Sequence, residues 1–450
     1  MASAAEQLAS SINFGALSKA TELKQRIWYT LGILIVARIG AYIPLPGIDS
    51  VAFDAIFQQH SGGVLGMVDM FAGGAISRMT VFALGIMPYI SASIIMQLLT
   101  SVVPTLEAWK KEGESGRRKI NQYTRYGTLV LALAQSLGIA NGLQNMAAPS
   151  GASAVIDPGA FFLFTTMVTL TCGTMILMWL GEQITARGIG NGISLIIFAG
   201  IVARLPSALG QVFEQLRAGS INPLLVVGIA IGAVAVITFV VFFERAQRRL
   251  IVQYPKRQVG NRMFGGESSH LPLKLNMSGV IPPIFASSLL LLPLTVASFY
   301  SNQADLPSWV QTLIAWFSHG QPLYIAMYLG LIAFFAFFYT AIVFNPDETA
   351  ENLKKNGGFL PGIRPGKNTS DYLDYVLTRL TVLGAAYLCA VCVLPEILIA
   401  KYSVPFYFGG TSLLIVVSVT MDTVSQVHSH LLAHRYEGLI KKARLKGRRG

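Results

Sequence analysis

Ten apolar stretches, each long enough to cross a bilayer, constrain this chain more than any other feature. A transmembrane helix needs about 20 mostly apolar residues, and only helices or closed barrels satisfy their backbone hydrogen bonds within lipid. Apolar runs of this length predict helices rather than barrel strands, so we expect an all-α membrane protein with ten transmembrane helices. The stretches lie near residues 27–46, 79–102, 124–144, 159–181, 189–207, 222–243, 277–298, 322–345, 376–396 and 406–430.

The composition excludes an ordinary soluble protein. Of the 450 residues, 53% are hydrophobic and 12% are charged, whereas about 25% of residues are charged in a typical soluble domain. Residues 1–23 contain neither an apolar core nor a small-residue cleavage site, so we expect the first apolar stretch to stay in the protein as a helix.

The distribution of lysine and arginine predicts the orientation. Twenty-eight of the 34 lie in the N-terminal segment, in the tail or in alternate loops, and only Arg204, Arg217 and Lys401 lie in the loops on the other side. Loops rich in Lys and Arg stay in the cytoplasm. We therefore expect both termini in the cytoplasm and an even number of spans.

Ten spans divide into two sets of five, and an odd number in each set makes the second half enter the membrane upside down. This topology predicts an inverted repeat with its working site at the midplane between the halves. The predicted parts are a cytoplasmic N-terminus (1–26), an N-terminal half (27–207), a C-terminal half (208–430) and a basic cytoplasmic tail (431–450).

Residues 62–78, GGVLGMVDMFAGGAISR, are apolar and rich in glycine but too short to span, and they contain Asp69. Such a segment is more typical of a re-entrant element than of a transmembrane helix. At membrane depth it would have to be buried in protein or line a watery cavity. An ordinary outer loop that packs on the bundle is the alternative.

Two long cytoplasmic loops, 244–276 and 346–375, carry basic clusters separated by glycine and proline. Glycine and proline favour fixed turns, so these loops should have a defined shape. Their charges could serve only to set the topology, but far fewer would be enough for that. A docking surface for a cytosolic partner is at least as well supported.

Three charged residues lie within or beside apolar spans, namely Arg38, Arg379 and Asp422. Charges within a membrane are costly and are usually paired or functional. Arg379 and Asp422 lie close enough to the cytoplasmic side to extend towards water. We favour structural pairing over a proton relay for these residues.

No pattern in the sequence predicts catalysis or a cofactor. The dinucleotide, phosphate-loop, zinc-helix and nucleophile-elbow motifs are all missing from the sequence. His428, His430 and His434 cluster without an acidic ligand, which argues against a metal site. Cys389 and Cys392 form a C-x-x-C pair within an apolar run, where small polarisable side chains are common. We expect no enzyme activity, no metal and no cofactor.

Topology alone leaves two functions about equally supported, a protein channel and a secondary transporter with a 5+5 inverted repeat. A transporter predicts paired charges or broken helices around a small solute at the midplane. The apolar midplane and the large basic loops of this chain argue against it. An intramembrane enzyme is disfavoured because no credible nucleophile and base occur together.

Long motifs resemble the SecY family of protein-conducting channels, which includes the bacterial Sec translocase subunit and Sec61-alpha. The resemblance runs from about residue 20 to the tail. The motifs are AYIPLPGI, MFAGGAISR, FALGIMPYISASIIMQLL, KKEGESGRRKINQYTRYGT, MWLGEQITARGIGNGISLIIFAGIV, HLPLKLNMSGVIPPIFASS, FYTAIVFNP, NLKKNGGFLPGIRPG and VPFYFGGTSLLIVV.

This resemblance implies two five-helix halves around an hourglass pore, with a ring of apolar side chains at its waist. The ring would consist of Ile86, Ile90, Ile193, Ile197, Ile284 and Ile415. A plug at about 62–74 would close the outer funnel and would include Gly66, Met67, Asp69, Met70, Phe71, Gly73 and Gly74. Spans two and seven would form a lateral gate containing Ser91, Gln97, Ser287 and Ser288.

The resemblance also implies partners and a function. Unfolded secretory polypeptides would pass through the pore, and signal sequences and membrane helices would leave sideways into lipid, driven by the SecA motor ATPase or the ribosome. Docking of SecA and the ribosome would involve Arg248, Arg249, Lys256, Arg257 and Arg364. SecE and SecG would be small partner subunits, and SecDF and YidC further partners. Independently of the resemblance, the net charge of +12 leaves room for an anionic partner such as phospholipid head groups.

Overall fold

Long apolar helices make up most of the fold. The computed structural model describes residues 21–60, 66, 69, 72–144, 153–219, 222–254, 257–259, 262–264, 268–300, 321–402 and 410–446. Within those ranges it contains thirteen helices and two small antiparallel sheets. The helices are α1 (Thr21–Gly40), α2 (Ser50–His60), α3 (Met87–Val102), α4 (Pro104–Lys111), α5 (Glu114–Gln144), α6 (Ala160–Arg187), α7 (Gly192–Arg217), α8 (Pro223–Arg245), α9 (Ile281–Tyr300), α10 (Pro322–Val343), α11 (Pro346–Lys355), α12 (Lys367–Tyr402) and α13 (Gly410–Lys446).

Each of the ten predicted stretches coincides with one helix, namely α1, α3, α5, α6, α7, α8, α9, α10, α12 and α13. Among the described residues, seven helices are long and apolar enough to cross a membrane, and an eighth counts if α3 and α4 form one bent span. Helices α1 and α9 are not among these eight. Helix α1 carries charges at both ends, Glu22 and Arg38, and only Ile281–Leu290 of α9 counts as an apolar helix, which is too short to span. A multi-pass helical bundle is confirmed, and the count of ten spans stays a prediction.

The second predicted stretch, 79–102, is helical only from Met87 onwards. Residues 72–86 form turns, because Gly73, Gly74 and Gly85 adopt positive φ angles of 67°, 86° and 58°, which glycine tolerates without steric cost. Met79 also has a positive φ of 43°. The turns therefore end directly at α3, and the spanning helix is shorter than the apolar stretch.

Helix α3 ends at a proline. Pro104 forces the preceding residue, Val103, into an extended conformation, and α4 then leaves at an angle of 97° to α3. Helix α4 is amphipathic in composition, PTLEAWKK, as expected for a helix lying at the membrane surface.

The loop 244–276, which is predicted to be cytoplasmic, contains β-structure, which the all-α prediction did not include. Strand β1 (Gln247–Gln253) pairs antiparallel with β4 (Ser268–Lys274), and the short strands β2 (Arg257–Val259) and β3 (Arg262–Phe264) pair with each other. Along β1, Leu250 and Val252 are buried while Ile251 between them is exposed. This alternation is the period of two that places successive strand side chains on opposite faces.

The two ends of the described chain meet at the α6–α7 turn. Leu23 of α1, Ile189 of the turn and Leu431 of α13 pack in one buried cluster. The Ile189 backbone N–H donates to Thr30 Oγ1 at 3.1 Å, and the Gly190 N–H donates to Gln426 Oε1 at 2.8 Å. The turn therefore joins the first and the last helices of the bundle.

Candidate functional site

The six isoleucines predicted to form a ring come from four helices. Ile86 and Ile90 lie at the start of α3, Ile193 and Ile197 at the start of α7, Ile284 in α9 and Ile415 in α13. All six belong to or pack against one hydrophobic cluster. Five are buried, with Ile415 fully enclosed at 0% exposure, and Ile193 is partly buried. The fold therefore brings together isoleucines that lie up to 329 positions apart in the chain.

A cavity of about 40 Å³ adjoins two of these isoleucines. Its wall includes Ile86 and Ile197, together with Ala72 and Gly85 of the turn segment. The lining is apolar except for Arg38. The turn segment and the isoleucine cluster therefore meet around a small void that one cationic side chain borders.

Asp69, in the predicted plug, is fully buried. Its Oδ1 accepts hydrogen bonds from the backbone N–H groups of Ile76 and Ser77, both at 2.8 Å, and its Oδ2 forms an ion pair with Arg204 of α7. The Asp69 carbonyl accepts a bond from the Gly74 N–H at 2.9 Å. Asp69 thus fixes the turn that follows it, because its side chain replaces backbone partners.

Arg38 holds the same segment from the other side. Its Nη1 donates to the Gly73 carbonyl at 3.0 Å. A Cβ on Gly73 would lie 2.5 Å from that nitrogen and 2.7 Å from Gly200 Cα, so only glycine fits there. Of the other predicted plug residues, Gly66 is buried, and Met67, Met70 and Phe71 lie outside the described residues.

The other two charges near the spans differ in their surroundings. The Arg379 guanidinium lies over the Tyr375 ring at 4.1 Å from its centroid, which is a favourable cation–π distance. Asp422 is exposed. For Arg38 and Arg379, the structure thus provides the structural partners that we favoured over a proton relay.

Helices α3 and α9, which are the second and seventh predicted spans, pack against each other. Ser288 Oγ donates to Met87 Sδ at 3.6 Å, directly across this contact, whereas Ser287 Oγ donates to the Ile284 carbonyl within its own helix at 3.0 Å. Among the described residues, Ser91 Oγ and Gln97 Oε1 are buried without a hydrogen-bond partner. A buried polar atom without a partner costs free energy, and both of these atoms belong to α3. We refer to the contact between α3 and α9 as the α3–α9 seam.

The two long loops that are predicted to be cytoplasmic are joined to each other. The backbones of Gln253 and Phe359 exchange two hydrogen bonds, each of 2.9 Å. Leu250, Val252 and Leu273 of the first loop pack with Leu360 of the second in one cluster that also contains residues of α12. We refer to residues 247–274 and 346–366 together as the cytoplasmic platform.

The predicted docking arginines lie on this platform. Arg248 and Arg249 are exposed on β1, and Arg364 is exposed between Gly362 and Gly366, which have φ angles of 81° and 108°. Arg257 lies in β2, but its side chain is outside the described part, as is Lys256. The cations are therefore presented by turns and strands with defined conformations.

Within the described part of the chain, no three His, Cys, Asp or Glu side chains are placed to hold a metal ion. Cys389 and Cys392 are not joined by a disulfide, and the side chain of His434 is not among those described. The absence of cofactors and metals stays a prediction.

Sequence reasoning missed two residues of this site. Arg204 was counted only as a charge on the outer side, although a lone acid in an apolar segment requires a partner, and Arg204 is one of only three basic residues in the outer loops. Met87 gave no signal in the sequence, because its contact with Ser288, 201 positions away, depends on how α3 and α9 approach each other.

Comparisons with known proteins agree with this geometry. The SecY family model matches residues 80–424. The protein translocase subunit SecY of Escherichia coli strain K12 is 57% identical over 426 residues, covering 95% of this chain and 96% of the relative. A solved structure described as a protein conducting channel has a TM-score of 0.66 at 19% identity, covering 91% of this chain and 92% of that one. A second, from work on the SecY plug domain as a stabiliser of the closed channel and its membrane seal, has the same TM-score at 20% identity and the same coverage. These structures share the fold, and the sequence match over nearly the whole length shows that the chain belongs to the SecY family.

Proposed function

We propose that this chain forms a protein-conducting channel in the bacterial inner membrane. Unfolded secretory polypeptides pass through it, and signal sequences and membrane helices leave it sideways into lipid. The observation that carries the proposal is the single buried cluster that gathers Ile86, Ile90, Ile197, Ile284 and Ile415, with Ile193 packed against it.

An apolar ring suits the passage of a polypeptide. Isoleucine is stiff at χ1 because it is β-branched, and it offers no hydrogen bond that would retain a passing chain. A narrow apolar constriction also excludes water and thereby hinders ions. The ring can thus surround an extended polypeptide and limit leakage when none is present.

The proposed architecture is ten transmembrane helices in two inverted halves, 27–207 and 208–430, around an hourglass pore. Both termini lie in the cytoplasm. The coincidence of ten apolar stretches with ten helices supports the count, and the uneven distribution of lysine and arginine supports the orientation.

Segment 62–74 is proposed as the plug that closes the outer funnel. Its support is the complete burial of Asp69 and the short turn region that connects it to Ile86. The α3–α9 seam is proposed as the lateral gate. Its support is the single described polar contact across it, between Ser288 and Met87, and the unpartnered polar atoms of Ser91 and Gln97.

The cytoplasmic platform is proposed as the docking site for SecA and the ribosome. Exposed arginines suit the phosphates of ribosomal RNA and the acidic groups of proteins. SecE and SecG are proposed as small subunits, and SecDF and YidC as further partners. Anionic phospholipids would be attracted to the basic loops near the membrane surface.

Photo-cross-linking tests the channel. A photoreactive residue is placed at Ile86, Ile90 or Ile284, with a control at Val234 of α8, whose side chain is 65% exposed on the outside of the bundle. The protein is then challenged with a stalled secretory chain and SecA. We expect cross-links at the three isoleucines and none at Val234.

The test also has a clear negative outcome. If correctly inserted protein with SecA bound gives no cross-link at any of the three positions, the pore is not formed by these isoleucines. A transporter with a 5+5 inverted repeat then becomes the better explanation of the topology.

A further inference from the structure

The segment that contains Asp69 is held by helices α1 and α7. Two described polar contacts join residues 69–77 to helices of the bundle. One is the hydrogen bond from Arg38 of α1 and the other is the ion pair with Arg204 of α7. The close approach of Gly73 to Gly200 Cα also involves α7. None of these contacts involves α9, the far side of the α3–α9 seam.

The residues that follow are tied to the end of α1. The Leu45 N–H donates to the Met79 carbonyl at 2.9 Å, and the Val81 N–H donates to the Ile43 carbonyl at 3.0 Å. The ring of Phe82 lies against Gly40, where a Cβ would come within 2.1 Å of it. Residues 79–82 are therefore attached to α1 and the segment after it, while Val81 also lies against Gly173 of α6.

The Asp69 carboxylate needs its ion pair with Arg204 only while the segment that contains it is buried in the bundle. Asp69 is 0% exposed, whereas the Arg204 side chain is 35% exposed. A buried carboxylate that loses its cation is strongly destabilised, because the remaining charge has no counter-ion in a poor solvent. If the segment moves into water, the carboxylate is solvated and no longer needs Arg204. Removing Arg204 therefore penalises the closed state specifically.

We infer that the Asp69–Arg204 ion pair, reinforced by Arg38 on the Gly73 carbonyl, is a latch whose polar contacts fasten the plug to α1 and α7. Release of this latch is a separate step from the parting of the α3–α9 seam. A membrane helix can then leave through the seam while the plug stays fastened and the membrane stays sealed. This inference rests on the proposed function, because it takes residues 62–74 as the plug.

The covalent chain is one route by which the seam could pull on the latch. Gly85 and Ile86 connect the turn region to α3. If parting of the seam displaced α3, the pull would reach Asp69 through these residues. If it displaced α9, the latch would be unaffected, and the two steps would be independent as we infer.

The experiment uses the channel purified with its native partner subunits and reconstituted into vesicles that contain a small fluorescent dye. Efflux is measured for Arg204→Gln and for Arg217→Gln, a matched change of an exposed arginine at the end of the same helix. Each variant also carries Met87→Cys and Ser288→Cys, which a short bifunctional thiol reagent joins to lock the seam. Cys172, Cys389 and Cys392 are first replaced so that only this pair reacts.

We expect Arg204→Gln to raise dye efflux at least tenfold, with or without the seam cross-link, and Arg217→Gln to leave efflux unchanged. A tenfold change in the ratio of open to closed channels corresponds to about 1.4 kcal/mol. The double variant Asp69→Asn/Arg204→Gln should leak less than Arg204→Gln, because it no longer buries an unpaired charge while the amide oxygen can still accept from Ile76 and Ser77.

Three results would overturn the inference. Efflux unchanged in a folded Arg204→Gln protein, with a melting temperature near that of the parent, excludes the latch. A leak that disappears when the seam is locked shows that the two steps are coupled. A double variant that leaks as much as Arg204→Gln shows that the charge of Asp69 is not responsible. The parent's ability to translocate a secretory chain is measured in parallel, so that failure of the proposed function is recognised separately.

Discussion

A single truncation in the cytoplasmic platform should affect docking although the altered residue touches no partner. Leu250 is 7% exposed and packs with residues of both cytoplasmic loops, whereas its neighbour Ile251 is 48% exposed on the opposite face of β1. Replacing a buried leucine by alanine costs about 2–5 kcal/mol, because it loses burial and leaves a cavity. The same truncation at an exposed position usually costs no more than about 0.5 kcal/mol.

This difference can be measured by proteolysis. Cleavage by trypsin after Arg248 or Arg249 requires the hairpin to open locally, and its rate follows the population of the open form when reclosing is fast. The lower bound of about 2 kcal/mol corresponds to an increase of roughly 30-fold in that population. We expect Leu250→Ala to be cleaved at least that much faster than the parent, and Ile251→Ala to be cleaved at nearly the parent's rate.

Binding completes the assay. If the two loops act as one unit, Leu250→Ala in the first loop and Leu360→Ala in the second should weaken the binding of SecA to similar extents, although both side chains are buried. Equal cleavage of Leu250→Ala and Ile251→Ala would refute the shared core. Accelerated cleavage with unchanged SecA binding would show instead that SecA binding does not depend on the folded structure of the platform.

Two further predictions concern single residues. Arg364→Glu should reduce SecA-driven translocation at least tenfold without lowering the melting temperature, because the side chain is exposed. Arg364→Lys should retain more activity, and equal loss in both variants would mean that the charge is not what the partner recognises. Gly173→Ala should lower the melting temperature by several degrees, because the new Cβ would lie 2.1 Å from the Val81 carbonyl oxygen. Gly228→Ala should not lower it, because a Cβ there would have no other atom within 4 Å. Similar melting temperatures for the two variants would show that α6 can move away from Val81.

The positions of the helices could be predicted from the sequence because apolar length is a local property. Their ends were less predictable where turn chemistry interrupts an apolar run, as at Gly73, Gly74 and Gly85. The hairpin in the first of the two platform loops was missed because its paired strands, β1 and β4, have only seven residues each and basic residues lie in and between them. The charge pattern was therefore more prominent than the alternation of Leu250, Ile251 and Val252.

The site was predictable in part for a different reason. The isoleucines were identified through motifs that resemble a family, since each isoleucine alone is typical of any membrane helix. The partner of Asp69 could not be identified, because it lies 135 positions away and no local pattern relates the two. Only the packing of α7 against the turn region brings Arg204 to the carboxylate.

The cluster of Leu23, Ile189 and Leu431 has a consequence for the order of folding. Helix α1 is synthesised first, yet its N-terminal end packs partly against α13, the last helix described. A chain still attached to the ribosome before residue 431 lacks that surface, so Leu23 and Ile189 stay incompletely covered until synthesis is nearly finished. Domains that complete their cores early can fold during synthesis, but this bundle closes only when its two ends meet. Truncation near the C-terminus should therefore loosen the beginning of the chain as much as its end.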